Sequence, residues 1–373
     1  MSLPPSSLLP WALRELSLNV SAEPVLQPLA GDASQRRYFR LRLPVQAQEL
    51  SSPGPGSYPS RSPGLAAAER SWILVDSPPT TQKNQEFLAI RQWLQAGGVR
   101  VPALLAADLG RGYMLLEDLG DQLLLERLRI GCAAGTAGYA EDCYAQALDL
   151  QCRMAAIPGS AASLPAYDNM LLAEELARFP DWFVTQLLGL TLTAHERGLL
   201  AELDGLLIGS ALAQPCVFVH RDFHSRNLMC LADGALAVID FQDAVFGPVT
   251  YDAVSLLKDC YICWPREQVV VWALAHRDAL CNVGIVSAVD DATYLRWFDW
   301  MGLQRHLKVL GTFARLALRD GKAHYLQDLP LVLDYVQEVL ALYASEDAAI
   351  EALRGWFETR LQPAIRRQPW HVA

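Results

Sequence analysis

His220-Arg221-Asp222-Phe223-His224-Ser225-Arg226-Asn227 and, a short way on, Ile239-Asp240-Phe241-Gln242 carry most of what this sequence says about itself. Between them, residues 228–231 and 236–239 read as two short strands joined at Asp233-Gly234, a hairpin signal. Phosphoryl transfer needs a carboxylate to orient the attacking hydroxyl, and oxygen ligands to hold Mg²⁺ against phosphates. Asp222 is therefore the expected base or orienting group, and Asn227 and Asp240 are the expected metal ligands. Taken singly, each could be a turn residue or a strand-end cap. The ordered set, flanked by apolar strands, is what points to chemistry. His220 reads as a scaffold for the backbone around Asp240 or as a packed histidine, and in neither case as a proton carrier.

Upstream, residues 11–18 suggest a short amphipathic helix. Residues 25–43 suggest a hairpin turning through Gly31, Asp32 and Ser34, and 72–75 a buried strand. Residues 44–68 are crowded with Pro, Gly and Ser and read as a flexible insertion. Helical spacing of Phe87, Ile90 and Leu94 predicts a helix over 84–96, closed by Gly97-Gly98, and two more strands fit 103–107 and 113–116. Beyond this sheet-rich part the chain is mainly helical, with helices expected over 139–156, 168–189, 193–212, 266–282, 291–319 and 328–343. The fold class is α+β. A small N-terminal antiparallel sheet lobe with one main helix (1–118) is expected to precede a larger, mostly helical lobe (119–373), which resembles the bilobal arrangement of protein-kinase-like enzymes.

The 373 residues are 52% hydrophobic and carry a formal charge of −10, enough chain for two lobes and no basic stripe for a nucleic-acid backbone. The first residues lack the pattern of a secretory signal, and the strongest apolar run, 269–275, is far too short for a membrane span. Eight cysteines without a disulfide framework suit a reducing cytoplasm. Cys260 and Cys263, spaced as CxxC in a stretch that reads as helical, have no further ligands nearby and are expected to be packed thiols.

The chain resembles the aminoglycoside phosphotransferase (phosphotransferase enzyme) family over nearly its whole length, apart from the 44–68 insertion. Several segments are similar to those of bacterial anomeric kinases for N-acetylmuramate and N-acetylglucosamine. They include Gly-Asp-Ala-Ser-Gln-Arg-Arg-Tyr-Phe-Arg at 31–40, Val-Asp-Ser-Pro-Pro at 75–79, Leu-Leu-Glu-Asp-Leu-Gly at 115–120, and above all 220–229. That resemblance implies a cytoplasmic enzyme of peptidoglycan recycling that uses ATP and Mg²⁺ to phosphorylate the anomeric hydroxyl of an amino sugar. An aminoglycoside, choline or homoserine acceptor, or a nucleotide-binding pseudokinase, are the alternatives.

The resemblance also assigns roles. Asp252, after Gly247-Pro248, would accept backbone hydrogen bonds from the catalytic loop. Gly31, Asp32 and Ser34 would cover the phosphates, and Glu117 and Leu119 fall at the hinge that meets adenine. His224, Arg226, Gln242 and Asp243 could meet sugar hydroxyls, with Arg226 the nearest cation in sequence for a lactyl carboxylate. Most relatives carry a lysine on the third strand, and Trp72-Ile73-Leu74-Val75-Asp76 offers none. Arg36 or Arg37 could supply that charge, or both could be a solvated strand edge.

Overall fold

The structure, a computed structural model, describes residues 3–20, 24–29, 36–44, 69–135, 138–158 and 164–371. Gly31, Asp32 and Ser34, and most of the 44–68 insertion, lie outside the described residues. The described part is α+β, a five-stranded antiparallel sheet accompanied by many helices. Two compact units divide it: Met1–Tyr139 with Arg226–Gln242, and Ala140–Ser225 with Asp243–Ala373.

In the first unit the helix α1 (Leu8–Glu15) covers one face of a sheet. Its strands β1 (Gln27–Pro28), β2 (Arg37–Pro44), β3 (Glu69–Asp76), β4 (Leu104–Asp108) and β5 (Tyr113–Glu117) run in the order β1-β2-β3-β5-β4. The β2–β3 register pairs Phe39 with Leu74 and Leu41 with Trp72. Opposed side chains share a face, so these four pack with Leu8, Leu9, Trp11 and Ala12 of α1. The same alternation sends Tyr38 and Arg40 to the other face. The helix α2 (Asn84–Ala96) buries Phe87, Ile90 and Leu94, as its periodicity predicts. After α3 (Leu124–Ala133), the unit is completed by the hairpin β7 (Leu228–Cys230) and β8 (Leu236–Val238). Hydrogen bonds from Val238 to the Arg100 carbonyl (2.8 Å) and from Cys230 to the Gln122 carbonyl (2.8 Å) tie it down.

In the second unit, α4 (Tyr139–Ala155), α5 (Asn169–Arg178) and α6 (Ala194–Leu212) precede the pair β6 (Cys216–Val219) and β9 (Val245–Pro248). Then come α7 (Tyr251–Leu257), α8 (Arg266–Asn282), α9 (Asp291–Asp320), α10 (Leu329–Tyr343) and α11 (Ala348–Trp356). The start of α6 is a capping box: Thr193 Oγ1 accepts from the Glu196 amide (3.2 Å), and Glu196 Oε2 accepts from the Thr193 amide (2.7 Å). The 30-residue α9 packs on α5, α6, α7, α8 and α10 and is buried almost all round from Phe298 to Leu310.

Three expectations need correction. The first helix is Leu8–Glu15, not 11–18; the backbone leaves the helical region at Ser17, with φ +53°. The single helix expected over 168–189 divides, α5 giving way at Phe179 to a π-helical segment, Phe179–Leu187. Pro180 has no N–H to continue the α ladder. The backbone there also lies against α9, where a Cβ on Gly311 would come within 2.2 Å of the Arg178 carbonyl oxygen. Cys260 and Cys263 lie between α7 and α8 rather than in a helix, the first buried and the second exposed. Among the described residues no cluster of His, Cys, Asp and Glu is disposed to hold a metal by itself, and no helix is long and apolar enough to cross a membrane.

Candidate active site

The catalytic-loop candidates 220–225 follow β6 directly. Asp252, fully buried at the start of α7, accepts the His220 N–H (2.6 Å) and the Arg221 N–H (3.0 Å). Burial pushes its carboxyl up to about 6, against these two hydrogen bonds and the neighbouring His220. The clamp holds Arg221 at φ +75°, a conformation that costs a non-glycine residue about 1–2 kcal/mol. The next amide then donates to its neighbour: Asp222 N–H to His220 Nδ1 at 3.3 Å, which fixes that ring nitrogen as the acceptor. His220 is 1% exposed and braces the loop.

Beneath the loop lies a network that the sequence analysis missed. Glu175 of α5 is fully buried; it pairs with Arg221, takes a hydrogen bond from the Tyr167 hydroxyl, and lies 3.3 Å from Lys308 Nζ of α9. Lys308 also donates to the Tyr251 hydroxyl at 2.9 Å. Burial alone would raise the Glu175 carboxyl, but Lys308 and Arg221 overcome it and hold it at about 2. Asp222 follows the same logic. Burial pushes its carboxyl up, and the positive charges of Lys308, Arg305 and Arg221 outweigh it, holding it at about 2. Asp222 is thus an ionised acceptor of hydrogen bonds throughout the neutral range.

On the far side of Asp222, Asp259 accepts Ser225 N–H (2.9 Å) and Oγ–H (2.5 Å) through one oxygen, and the Tyr261 N–H (3.0 Å) through the other. The His224 backbone donates to the Asp222 carbonyl at 3.0 Å, and its ring stands edge-on to Tyr261, centroids 5.4 Å apart. Burial lowers the His224 imidazole below its ordinary value, favouring the neutral ring. Asp243 is exposed, and its carbonyl takes a 3.4 Å contact from Arg221 Nη1.

Within the first unit the β7–β8 hairpin sets the other candidates. Leu228 pairs with Val238, and Ile239 N–H donates to the Asn227 carbonyl at 3.1 Å. Asn227 and Asp240 therefore stand at the open end of one ladder. Asp240 is exposed, has φ +63°, and its Oδ1 accepts from Gln242 Nε2 at 2.7 Å. Amide and carboxylate oxygens suit a hard divalent cation that keeps water and phosphate oxygens in its shell. Arg226, half-buried, sits at the hairpin's entrance.

The two arginine candidates part company. Arg37 pairs with Asp76 and donates to the Leu3 carbonyl (3.0 Å). Arg36 is buried; its Nε donates to Ser77 Oγ at 3.0 Å, and its guanidinium lies 4.9 Å from the centre of the Phe87 ring. Phe87 in turn stacks on Phe241 at 4.9 Å, the residue after Asp240. A further cation escaped the sequence analysis: Arg40, 3% exposed, bonds Asp118 at 2.7 Å and Asp121 at 2.7 Å. Glu117 braces the chain instead of facing outward, paired with Arg100 and accepting the Ala103 N–H at 3.1 Å. Leu119 packs with Met229 and Ala237.

Comparison with known proteins follows this geometry. The profile of the phosphotransferase enzyme family matches residues 25–297. An N-acetylmuramate/N-acetylglucosamine kinase of Pseudomonas putida is 38% identical over 315 residues, 84% of this chain and 83% of that protein. One of the same description from Caulobacter vibrioides is 30% identical over 94% of this chain and 96% of its own. Among solved structures, an ADP-bound aminoglycoside phosphotransferase, APH(2'')-Ib, superposes with a TM-score of 0.55 at 12% identity, covering 90% of this chain and 98% of the other. An ethanolamine kinase of Plasmodium vivax gives 0.56 at 10% identity, covering 86% and 82%. At such identity these structures speak for the fold alone. With the profile spanning most of its length and relatives at 30% and 38% identity over 94% and 84% of it, the chain belongs to the phosphotransferase enzyme family.

Proposed function

We propose that the protein is a cytoplasmic kinase that moves the γ-phosphoryl group of ATP to the anomeric hydroxyl of N-acetylmuramate and N-acetylglucosamine, as in peptidoglycan recycling. The observation that carries the chemistry is Asp222. It is an ionised carboxylate on a loop clamped by Asp252, and Lys308, Arg305 and Arg221 surround it. The acceptor rests on the relatives of that description.

In this reading Asp222 accepts a hydrogen bond from the C1 hydroxyl and points its oxygen lone pair at the γ-phosphorus. A carboxylate held at about 2 is a weak base. It therefore orients from the start and takes the proton only as the new O–P bond forms and the bond to the ADP oxygen breaks. A hemiacetal hydroxyl is more acidic than an ordinary alcohol, because the ring oxygen withdraws electron density, and this suits such a base. Asn227 and Asp240 would hold Mg²⁺, which offsets phosphate charge when bound. Arg36 is the better candidate for the charge that a third-strand lysine would give, since Arg37 is committed to Asp76. The division into a nucleotide lobe, 1–118, and a catalytic and acceptor lobe, 119–373, belongs to the same proposal.

The test is transfer from ATP to a panel of sugars and amino alcohols, with the phosphorylated position read by NMR. Sugar 1-phosphates from N-acetylmuramate and N-acetylglucosamine are expected. Transfer to choline or an aminoglycoside, with both sugars inert, would move the protein elsewhere in the family.

A further inference from the structure

Arg305 is 3% exposed, deep in α9, and no carboxylate pairs with it among the described residues. Among the described residues its one hydrogen bond is from Nη1 to Cys260 Sγ at 3.5 Å, a weak acceptor, and its buried Nε has no partner there. The neighbouring acid, Asp259, is engaged by Ser225 and Tyr261. A buried guanidinium left so poorly matched is costly, and two buried carboxylates of this unit show the usual remedy, an ion pair. Glu175 has Arg221 and Lys308; Asp299 has Arg266, with 2.6 and 2.7 Å bonds.

A second unmatched group lies close to the catalytic loop. The Nδ1 of His224 is buried and has no hydrogen-bond partner among the described residues. Tyr261 links the two: it follows Cys260, which Arg305 touches, and its ring meets that of His224. His224 is bonded through its backbone to the Asp222 carbonyl. An anion beside Asp222 would find a fixed positive charge and an imidazole nitrogen, walled by the Tyr261 ring.

We infer that Arg305 and His224 form a carboxylate-recognition subsite of the acceptor pocket, which selects sugars bearing an acidic side arm over neutral ones. The inference rests on the proposed amino-sugar activity and makes it more specific. N-acetylmuramate carries a lactyl ether at C3, two ring carbons from the reacting C1. N-acetylglucosamine has a hydroxyl there. The cation for the lactyl group is then Arg305 of α9 rather than Arg226.

The experiment compares N-acetylmuramate with its lactyl carboxamide, which has the same shape without the charge. A charge-assisted hydrogen bond is worth about 1.5–3 kcal/mol, so the wild type is expected to prefer the acid by about 10–100-fold in kcat/KM, chiefly through KM. Arg305→Met removes that preference and treats acid and amide alike; the readout is the acid-to-amide ratio of kcat/KM, in which any effect of losing a positive charge near Asp222 cancels. Arg305→Lys restores part of the preference, and His224→Gln, which leaves the buried guanidinium in place, weakens it. Equilibrium binding of the acid and the amide without nucleotide reads the subsite independently of turnover. Failure of the kinase assay with retained discrimination in binding would therefore reject the activity and keep the subsite. A wild type that binds acid and amide equally, or an Arg305→Met that loses acid and amide in equal proportion, would overturn it.

Discussion

The two ends of the catalytic stretch are held very differently. Asp222 sits on a loop clamped from below by Asp252 and surrounded by buried charges. Asp240 is exposed, on a hairpin of two short strands, and Gln242 is its side-chain hydrogen-bond donor. A group that must aim one hydroxyl benefits from rigidity before the substrate arrives. A cation ligand can stay open, because metal and phosphate complete its surroundings on binding. The acceptor-side carboxylate is thus pre-organised by the protein, and the cation-side carboxylate is organised by its ligand.

That contrast can be broken by substitution. Asp240→Asn should leave the fold intact, lower kcat by about 10³-fold as loss of a principal electrostatic contact does, and raise the Mg²⁺ concentration needed for half-maximal rate. Unchanged Mg²⁺ dependence would remove Asp240 from the cation site. Glu175→Ala tests the rigid side. Removing it leaves Arg221 and Lys308 without their carboxylate, at a cost of about 3–5 kcal/mol in unfolding free energy, measured by urea denaturation.

The same residue makes a pH prediction. Its folded value of about 2 lies below the ordinary carboxylate value. Its stabilisation is therefore present above about pH 4.5 and is lost as pH falls toward 2. Glu175→Gln should flatten the stability profile in that interval. The smallest effect belongs to the nucleotide side. Arg36→Met should raise KM for ATP by roughly tenfold, the scale of one partly desolvated charge contact, with the corresponding change at Arg37 well below that.

Local pattern revealed a good deal of this architecture. Phe87, Ile90 and Leu94 placed α2, and the hairpin expected over 228–231 and 236–239 fell on β7 and β8. The 193–212 helix has its cap at Thr193. What escaped was long-range. Arg221, Glu175 and Lys308 are far apart in sequence, and no periodicity links them. A hint was present in α9, where Arg305 and Lys308 stand three apart on one face, each flanked by apolar Leu303, Leu307, Val309 and Leu310. Glu175 likewise interrupts the apolar stripe of α5 beside Leu172 and Leu176. The π-helical segment after Arg178 depends on Pro180 together with the close approach of α9 at Gly311, and only the proline is visible locally.

The most direct measurement is the single-turnover rate of phosphate transfer from ATP to N-acetylmuramate by Asp222→Asn, with ATP affinity determined on the same sample. The asparagine keeps the shape and loses the charge and the proton acceptor, so transfer should fall by about 10²–10⁴-fold, with nucleotide binding nearly unchanged. Transfer at the wild-type rate would contradict the account.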